Sequence, residues 1–363
     1  MKFSFAKNKS QTTPDDSRVK SNPFHETIAF FPPGYFSLVM ATGIVSIAAH
    51  FFEYQIFAKT TLYINLVSFI ILSAILIIRL LFFKREVIND FYKNNRNMGF
   101  LSIPAACCIM GSQFVLIVTN DSVGIFFFVI GLISWVFLIY TLFAIIIEEA
   151  HKPSLKGVNG SWLLIIVSTQ SLFVLSVLLV DNFPKEINTI LFFSFILFLC
   201  GCMFYIIIIT LVFYRLIFLK VKADQLKANY WISMGADAIS VLAGSMLIQN
   251  AEKSSFLPDV LSFLKGFTSL FWAIGTWWIP LIIVLGIWRH IVKKIPLKYT
   301  FQYWTLVFPL GMYAVCTLKL SQIIGLSLLN GIGSVFVIIA IASWTIVFLS
   351  MLYAMIKYFL RTL

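Results

Sequence analysis

Charge is scarce in this sequence. Asp, Glu, Lys and Arg make up 12% of its 363 residues, whereas a soluble globular chain carries about 25%. With 60% hydrophobic residues and a mean hydropathy of +0.95, the composition is that of an integral membrane protein. No G-x-x-x-x-G-K-[ST] phosphate loop is present, and no long soluble segment is left to house a nucleotide domain, which argues against ATP-driven pumping by this chain alone. The four histidines, His25, His50, His151 and His290, are scattered over tail, span ends and loops without an H-E-x-x-H pair or clustered carboxylates. Membrane-embedded metalloprotease or oxidase chemistry is therefore disfavoured, and neither enzyme activity nor a metal or cofactor is expected. The five cysteines lie in apolar runs. Residues one or two apart on a helix point to different faces, so neither Cys107 with Cys108 nor Cys200 with Cys202 can grip one ion, and small apolar packing is their expected role.

Long apolar runs are what the sequence has in abundance. Each is long enough to cross a hydrocarbon core of roughly 30 Å as a helix. Unbroken runs also exclude a transmembrane β-barrel, whose strands alternate in polarity over about 10 residues. The chain reads as all-α, with ten transmembrane helices near 34–52, 60–83, 98–118, 123–147, 158–180, 187–219, 228–250, 263–291, 300–321 and 326–359. The sixth and tenth runs exceed what a perpendicular helix needs, which predicts tilt or an extension past the bilayer. Residues 1–27 are polar, mixed in charge and without a signal-peptide core, and read as a disordered cytoplasmic tail ahead of a transport domain over 28–363. Of the 27 Lys and Arg residues, 22 fall in the tail, in the last turns of even-numbered spans and the loops after them, or at the C-terminus. That asymmetry places both termini in the cytoplasm. The formal charge of +12 is then a topology signal, strengthened by attraction to anionic membrane lipid, and nucleic acid is not an expected partner.

Small and polar residues are nearly twice as dense in the odd-numbered spans as in the even-numbered ones. Lipid suits large apolar side chains, whereas small residues allow close helix packing and hydroxyls and amides suit a polar lumen. The pattern predicts five hairpins, with odd helices in an inner ring around a central pore and even helices outside. Tight packing without any lumen is the alternative. Pro104, Pro280 and Pro309 lie within spans, and each removes a backbone donor and is a candidate helix kink, for a pathway or for packing alone.

Four segments, "FPPGYFSLVMATGIVSIA" (31–48), "VNGSWLLIIVSTQSL" (158–172), "NYWISMGADAIS" (229–240) and "YWTLVFPLGMYAVCTL" (303–318), together resemble the tellurite-resistance/dicarboxylate transporter family. That family includes the bacterial tellurite-resistance channel, fungal malate permeases, sulfite exporters and the plant slow-type anion channels. The resemblance runs from residue 30 to about 355. It implies a homotrimer of ten-helix protomers, each with its own pore formed by the odd helices and obstructed by an aromatic side chain in the ninth. Phe308, just before Pro309, is similar in context to that gate. The fifth span departs from the pattern, because it has no internal proline and only Gly157 and Gly160 at its entrance.

Phe308 is then either a gate or a packed core residue. Lys319, near the outer end of the ninth helix, either snorkels to headgroups or makes an outer vestibule positive. Thr42, Gly43, Ser46, Gln113, Ser168, Thr169 and Gln170 either offer neutral donors to a passing anion or bond neighbouring helices. Asp237 stands near the bilayer midplane, where an ionised carboxylate costs about 2.5–3.5 kcal/mol on insertion scales. Ser233, Ser240 and Gly244 share its side of the helix, which suggests an inward face. A structural hydrogen bond is one role for it. The other is a switch whose protonated form admits an anion and whose ionised form rejects it, making transport proton-linked. Three functions stay open: a proton-coupled plasma-membrane permease for small anions or C4-dicarboxylates such as malate, with tellurite or sulfite as further candidates; a gated passive anion channel; and a receptor or scaffold with a sealed pore.

Overall fold

The computed structural model describes residues 23–93, 96–148 and 154–362. Ten helices within it are long and apolar enough to cross a membrane: Pro33–Phe51, Gln55–Phe82, Asn97–Val118, Asp121–Glu148, Gly160–Leu178, Ile187–Phe218, Ala228–Gln249, Leu257–Val292, Phe301–Ile324 and Ser327–Tyr358. Helices are the natural outcome, because the bilayer core offers no water and each backbone group must be satisfied within its own segment. The spans match the sequence expectation closely, although the second begins at Gln55 rather than near 60 and the eighth extends at both ends. Of the tail expected over 1–27, residues 1–22 lie outside the described residues, and Pro23–Ala29 is a short helix.

Burial separates the two sets of helices. The odd spans are 67–89% buried within the protein, and the even spans 17–33%. The odd spans also form a closed cycle of contacts, first to third to fifth to seventh to ninth and back to the first, while each packs against the even span that follows it. An inner ring with an outer jacket is thus the observed arrangement. Glycines set the close approaches within it. A Cβ on Gly43 would strike Ile109 of the third span, and one on Gly235 would lie 2.7 Å from the Pro309 ring of the ninth. Much of the small-residue excess in the odd spans therefore serves helix packing.

Every odd span opens with a tight 3-10 turn, Pro33–Phe36, Asn97–Leu101, Gly160–Leu163, Ala228–Trp231 or Phe301–Tyr303, before its α-helix begins. This shared entry is the plainest trace of a five-hairpin repeat. It also decides the role of Pro104, the third residue of the α-helix Ser102–Gln113, in its first turn rather than at a mid-helix kink. Pro309 lies inside the ninth helix and is buried, whereas Pro280 lies inside the eighth and is exposed on the outer jacket, away from the ring.

Candidate functional site

Two cavities are lined by residues of all five odd spans or of the segments leading directly into them, which places both on the axis of the ring. The first, of about 420 Å³, lies where the odd spans start, between Pro32, Arg96, Asn159, Asn229 and Gln302. The second, of about 250 Å³, lies toward their far ends, bordered by Ile44, Ile109, Val174, Leu242 and Met312. On the ninth helix Phe308 lies between Gln302, which borders the first cavity, and Met312, which borders the second; it is 2% exposed and lines neither. It sits one turn before Met312 and so shares the cavity-facing side of the ninth helix.

The first cavity is a cationic mouth. Its wall carries Arg96, Lys156, Arg215 and Lys227. The N-termini of five helices converge on it, adding the positive ends of their dipoles and amide donors without intrahelical partners. Local contacts hold these groups in place. Arg215 donates to the Val158 carbonyl at 2.5 Å and to the Tyr230 hydroxyl at 2.7 Å, tying the sixth span to the entrances of the fifth and seventh. Asp90, on the short helix Lys84–Tyr92, accepts from Arg96 at 2.9 Å and from buried Arg79 at 2.8 Å. Asn229 Nδ2 bridges Asn159 Oδ1 at 2.7 Å and Ser161 Oγ at 3.0 Å, and its own Oδ1 has no protein partner. A Cβ at Gly160 would collide with the Asn229 carbonyl. Gly160→Val is accordingly expected to push the fifth and seventh entrances apart, and a thermal melt of the purified protein, with Gly157→Val in open space as control, should show a loss confined to the former.

The second cavity is mostly apolar, and its two charged residues are both engaged. Asp181 pairs with Lys253 at 2.7 Å, and Lys319 lies 4.6 Å over the Phe51 ring. Lys319 thus borders the second cavity.

The neutral donors singled out in the sequence are buried but mostly bond other helices. Thr42 accepts from Trp344 of the tenth span at 3.0 Å, and Ser46 donates to Ala58 O of the second at 2.7 Å. Gln113 accepts from Asn65 at 2.6 Å. Ser168 and Thr169 both donate to Ile165 O, and Thr169 also accepts from Trp135 of the fourth span. Gln170 Nε2 reaches Phe198 O at 3.1 Å and Ser240 Oγ at 3.3 Å. Gly43 lines neither axial cavity and spaces the first span from the third.

Asp237 is fully buried but turned away from the axis. A Cβ at Gly275 of the eighth span would lie 2.9 Å from its Oδ2. On the seventh helix it stands opposite Leu242, Met246 and Gln249, the residues that border the cavity. Tyr205 lies beside it but donates to Ser233 O at 3.2 Å, and neither carboxylate oxygen has hydrogen-bond geometry to any described group. The side shared with Ser233, Ser240 and Gly244 meets the fifth, sixth and eighth spans, so small residues there mark close packing and not an inward face.

The mouth residues went unselected in the sequence because Arg96, Lys156 and Lys227 registered there only as topology charges. Their shared position, just before the odd spans, was the available signal.

Comparison with known proteins bears on the family. Two relatives from Methanocaldococcus jannaschii, both named as uncharacterized transporters, are 24% and 23% identical over 84% and 85% of this chain and 88% of each relative. An uncharacterized membrane protein of Mycobacterium tuberculosis is 36% identical over 41% of the chain and 75% of its own length. The family described as voltage-dependent anion channel matches residues 30–352. With that match running from the entrance of the first ring helix into the tenth span, the chain belongs to the voltage-dependent anion channel family.

Proposed function

We propose that each protomer is a gated, passive pathway for small inorganic anions along the ring axis, closed by the Phe308 ring. The observation that carries this reading is the pair of axial cavities on either side of Phe308, one of them cationic. Positive charge at the mouth concentrates anions, and an apolar ring in a narrow passage blocks them by excluding the water they carry. The mouth faces the cytoplasm of a plasma-membrane protein, in keeping with the Lys and Arg asymmetry. Assembly is as a homotrimer with three separate pores, as the family resemblance implies.

A proton-coupled carrier for malate-like anions is the competing mechanism, and the placement of Asp237 weighs against it. A switch must sense the substrate's charge, whereas this carboxylate abuts Gly275 behind the ring wall. The test is anion uptake into proteoliposomes, chloride beside malate, under an imposed pH gradient and then under voltage alone, with Asp237→Asn in parallel. Voltage-driven chloride flux that is indifferent to the pH gradient and to Asp237→Asn is expected. Accumulation driven by the pH gradient and lost in that variant would overturn the passive reading.

A further inference from the structure

A third cavity, of about 480 Å³, opens on the side of the protein at the same end as the mouth, between the seventh span entrance, the last turns of the eighth span and the loop to the ninth. Its wall carries Lys227, Arg289, His290 and Lys298, with no carboxylate among the described lining residues. Arg289 is poorly neutralised. One guanidinium nitrogen donates to the Leu226 carbonyl, while the buried Nε has no acceptor. A buried cationic donor without an acceptor is costly, and an anion bearing several oxygens would relieve it. Exposed apolar side chains edge the same cavity, Ile283 at 46% on the largely exposed eighth span and Leu297 at 72% in the loop that follows it. Cations beside an apolar, membrane-facing rim suit an amphiphile with a phosphate head and hydrocarbon tails better than a freely soluble anion. Lys227 and Gln302 belong to this cavity and to the mouth alike.

From that shared wall we infer that the lateral cavity binds the phosphate of an anionic phospholipid, and that the bound headgroup draws Lys227 away from the mouth and lowers anion flux. The binding claim stands on the cavity alone; the effect on flux rests on the pore reading above. The phosphate chemistry is shared by lipid headgroups and soluble phosphate esters, and the two are separable by experiment.

The full chain would be reconstituted in phosphatidylcholine vesicles with and without phosphatidylglycerol, and retained lipid counted by native mass spectrometry. Preferential retention of phosphatidylglycerol is expected. Each cation near a membrane surface contributes about fivefold to such binding, so Arg289→Gln with Lys298→Gln should weaken it by about 25-fold. Because Arg289 also anchors Leu226, Lys298→Gln alone is the second variant, expected to lose about fivefold while melting like wild type. Equal retention of phosphatidylglycerol by wild type and both variants would overturn the site. Displacement of the lipid by millimolar glycerol phosphate would overturn the lipid as occupant in favour of a soluble phosphate. In flux assays, phosphatidylglycerol should slow wild-type chloride movement severalfold and leave the double variant unaffected. Intact lipid binding with no effect on a measurable wild-type flux would overturn the coupling through Lys227. Absence of any wild-type flux, with lipid binding intact, would count against the pore reading and not against the site.

Discussion

Phe308→Ala should conduct chloride far faster than the wild type. The ring is 2% exposed and lies on the ninth helix between Gln302 of one cavity and Met312 of the other, so on the pore reading shortening it to a methyl group would join them. A constriction of this kind works by dewetting, and once water fills the gap the anion need not shed its shell. Lowering the crossing barrier by about 1.4 kcal/mol suffices for a tenfold gain in rate. Phe308→Leu, which keeps most of the bulk, should fall well below alanine. The readout is chloride flux from proteoliposomes holding equal amounts of folded protein, and unchanged flux in Phe308→Ala would remove Phe308 as the gate. Loss of a phenyl ring packed in the centre also predicts a lower melting temperature. Faster flux from a less stable protein is therefore the combined signature, one that general misfolding would not produce.

The largest stability effect is expected at Asp90. Its carboxylate is 2% exposed and lies between Arg79, also 2% exposed, and Arg96, 26% exposed. Arg79 in turn donates to the Ala29 and Phe31 carbonyls, so the ion pair clamps the chain entering the first span. Asp90→Ala would leave a buried guanidinium without a counterion, at a cost of about 3–5 kcal/mol. Tryptophan-monitored unfolding in detergent should show this as a marked drop in stability. Combining Asp90→Leu with Arg79→Met should recover part of the loss, because no buried charge then lacks a counterion and only the part-exposed Arg96 and the carbonyls of Ala29 and Phe31 lose a partner. A double variant no more stable than Asp90→Ala would mean that the Arg79 bonds to Ala29 and Phe31, rather than the charge pair, hold this corner. Release of Arg96 at the mouth would accompany the single substitution, linking this corner to anion entry.

The difference between Asp237 and Arg215 illustrates what a one-dimensional pattern can carry. Both are charged residues in otherwise apolar runs, and sequence alone drew attention to Asp237 because it sits at mid-membrane depth. Depth follows from counting residues, but direction does not. Which side of the seventh helix meets the axis depends on how that helix is rotated between the fifth and ninth, and this is fixed by contacts such as Gly235 on Pro309. The same ambiguity affected the hydroxyls. Thr42 and Ser46 are as polar as lumen residues would be, yet their partners, Trp344 and Ala58, lie on other helices, and in the case of Thr42 some 300 residues away in the chain.

Hydropathy and length alone dictate an all-α membrane protein, ten spans close to their observed limits, and odd helices inside even ones. Those features are legible because lipid excludes unsatisfied backbone and rewards large apolar side chains wherever they occur along the chain. It took the three-dimensional packing to show that the axial space holds two separate cavities, that four cations from the lead-in to three odd spans and from the sixth span meet at one of them, and that Asp237 abuts Gly275 of the eighth span. Each of these depends on helix rotation and on contacts between residues far apart in sequence, for which local composition holds no coordinate.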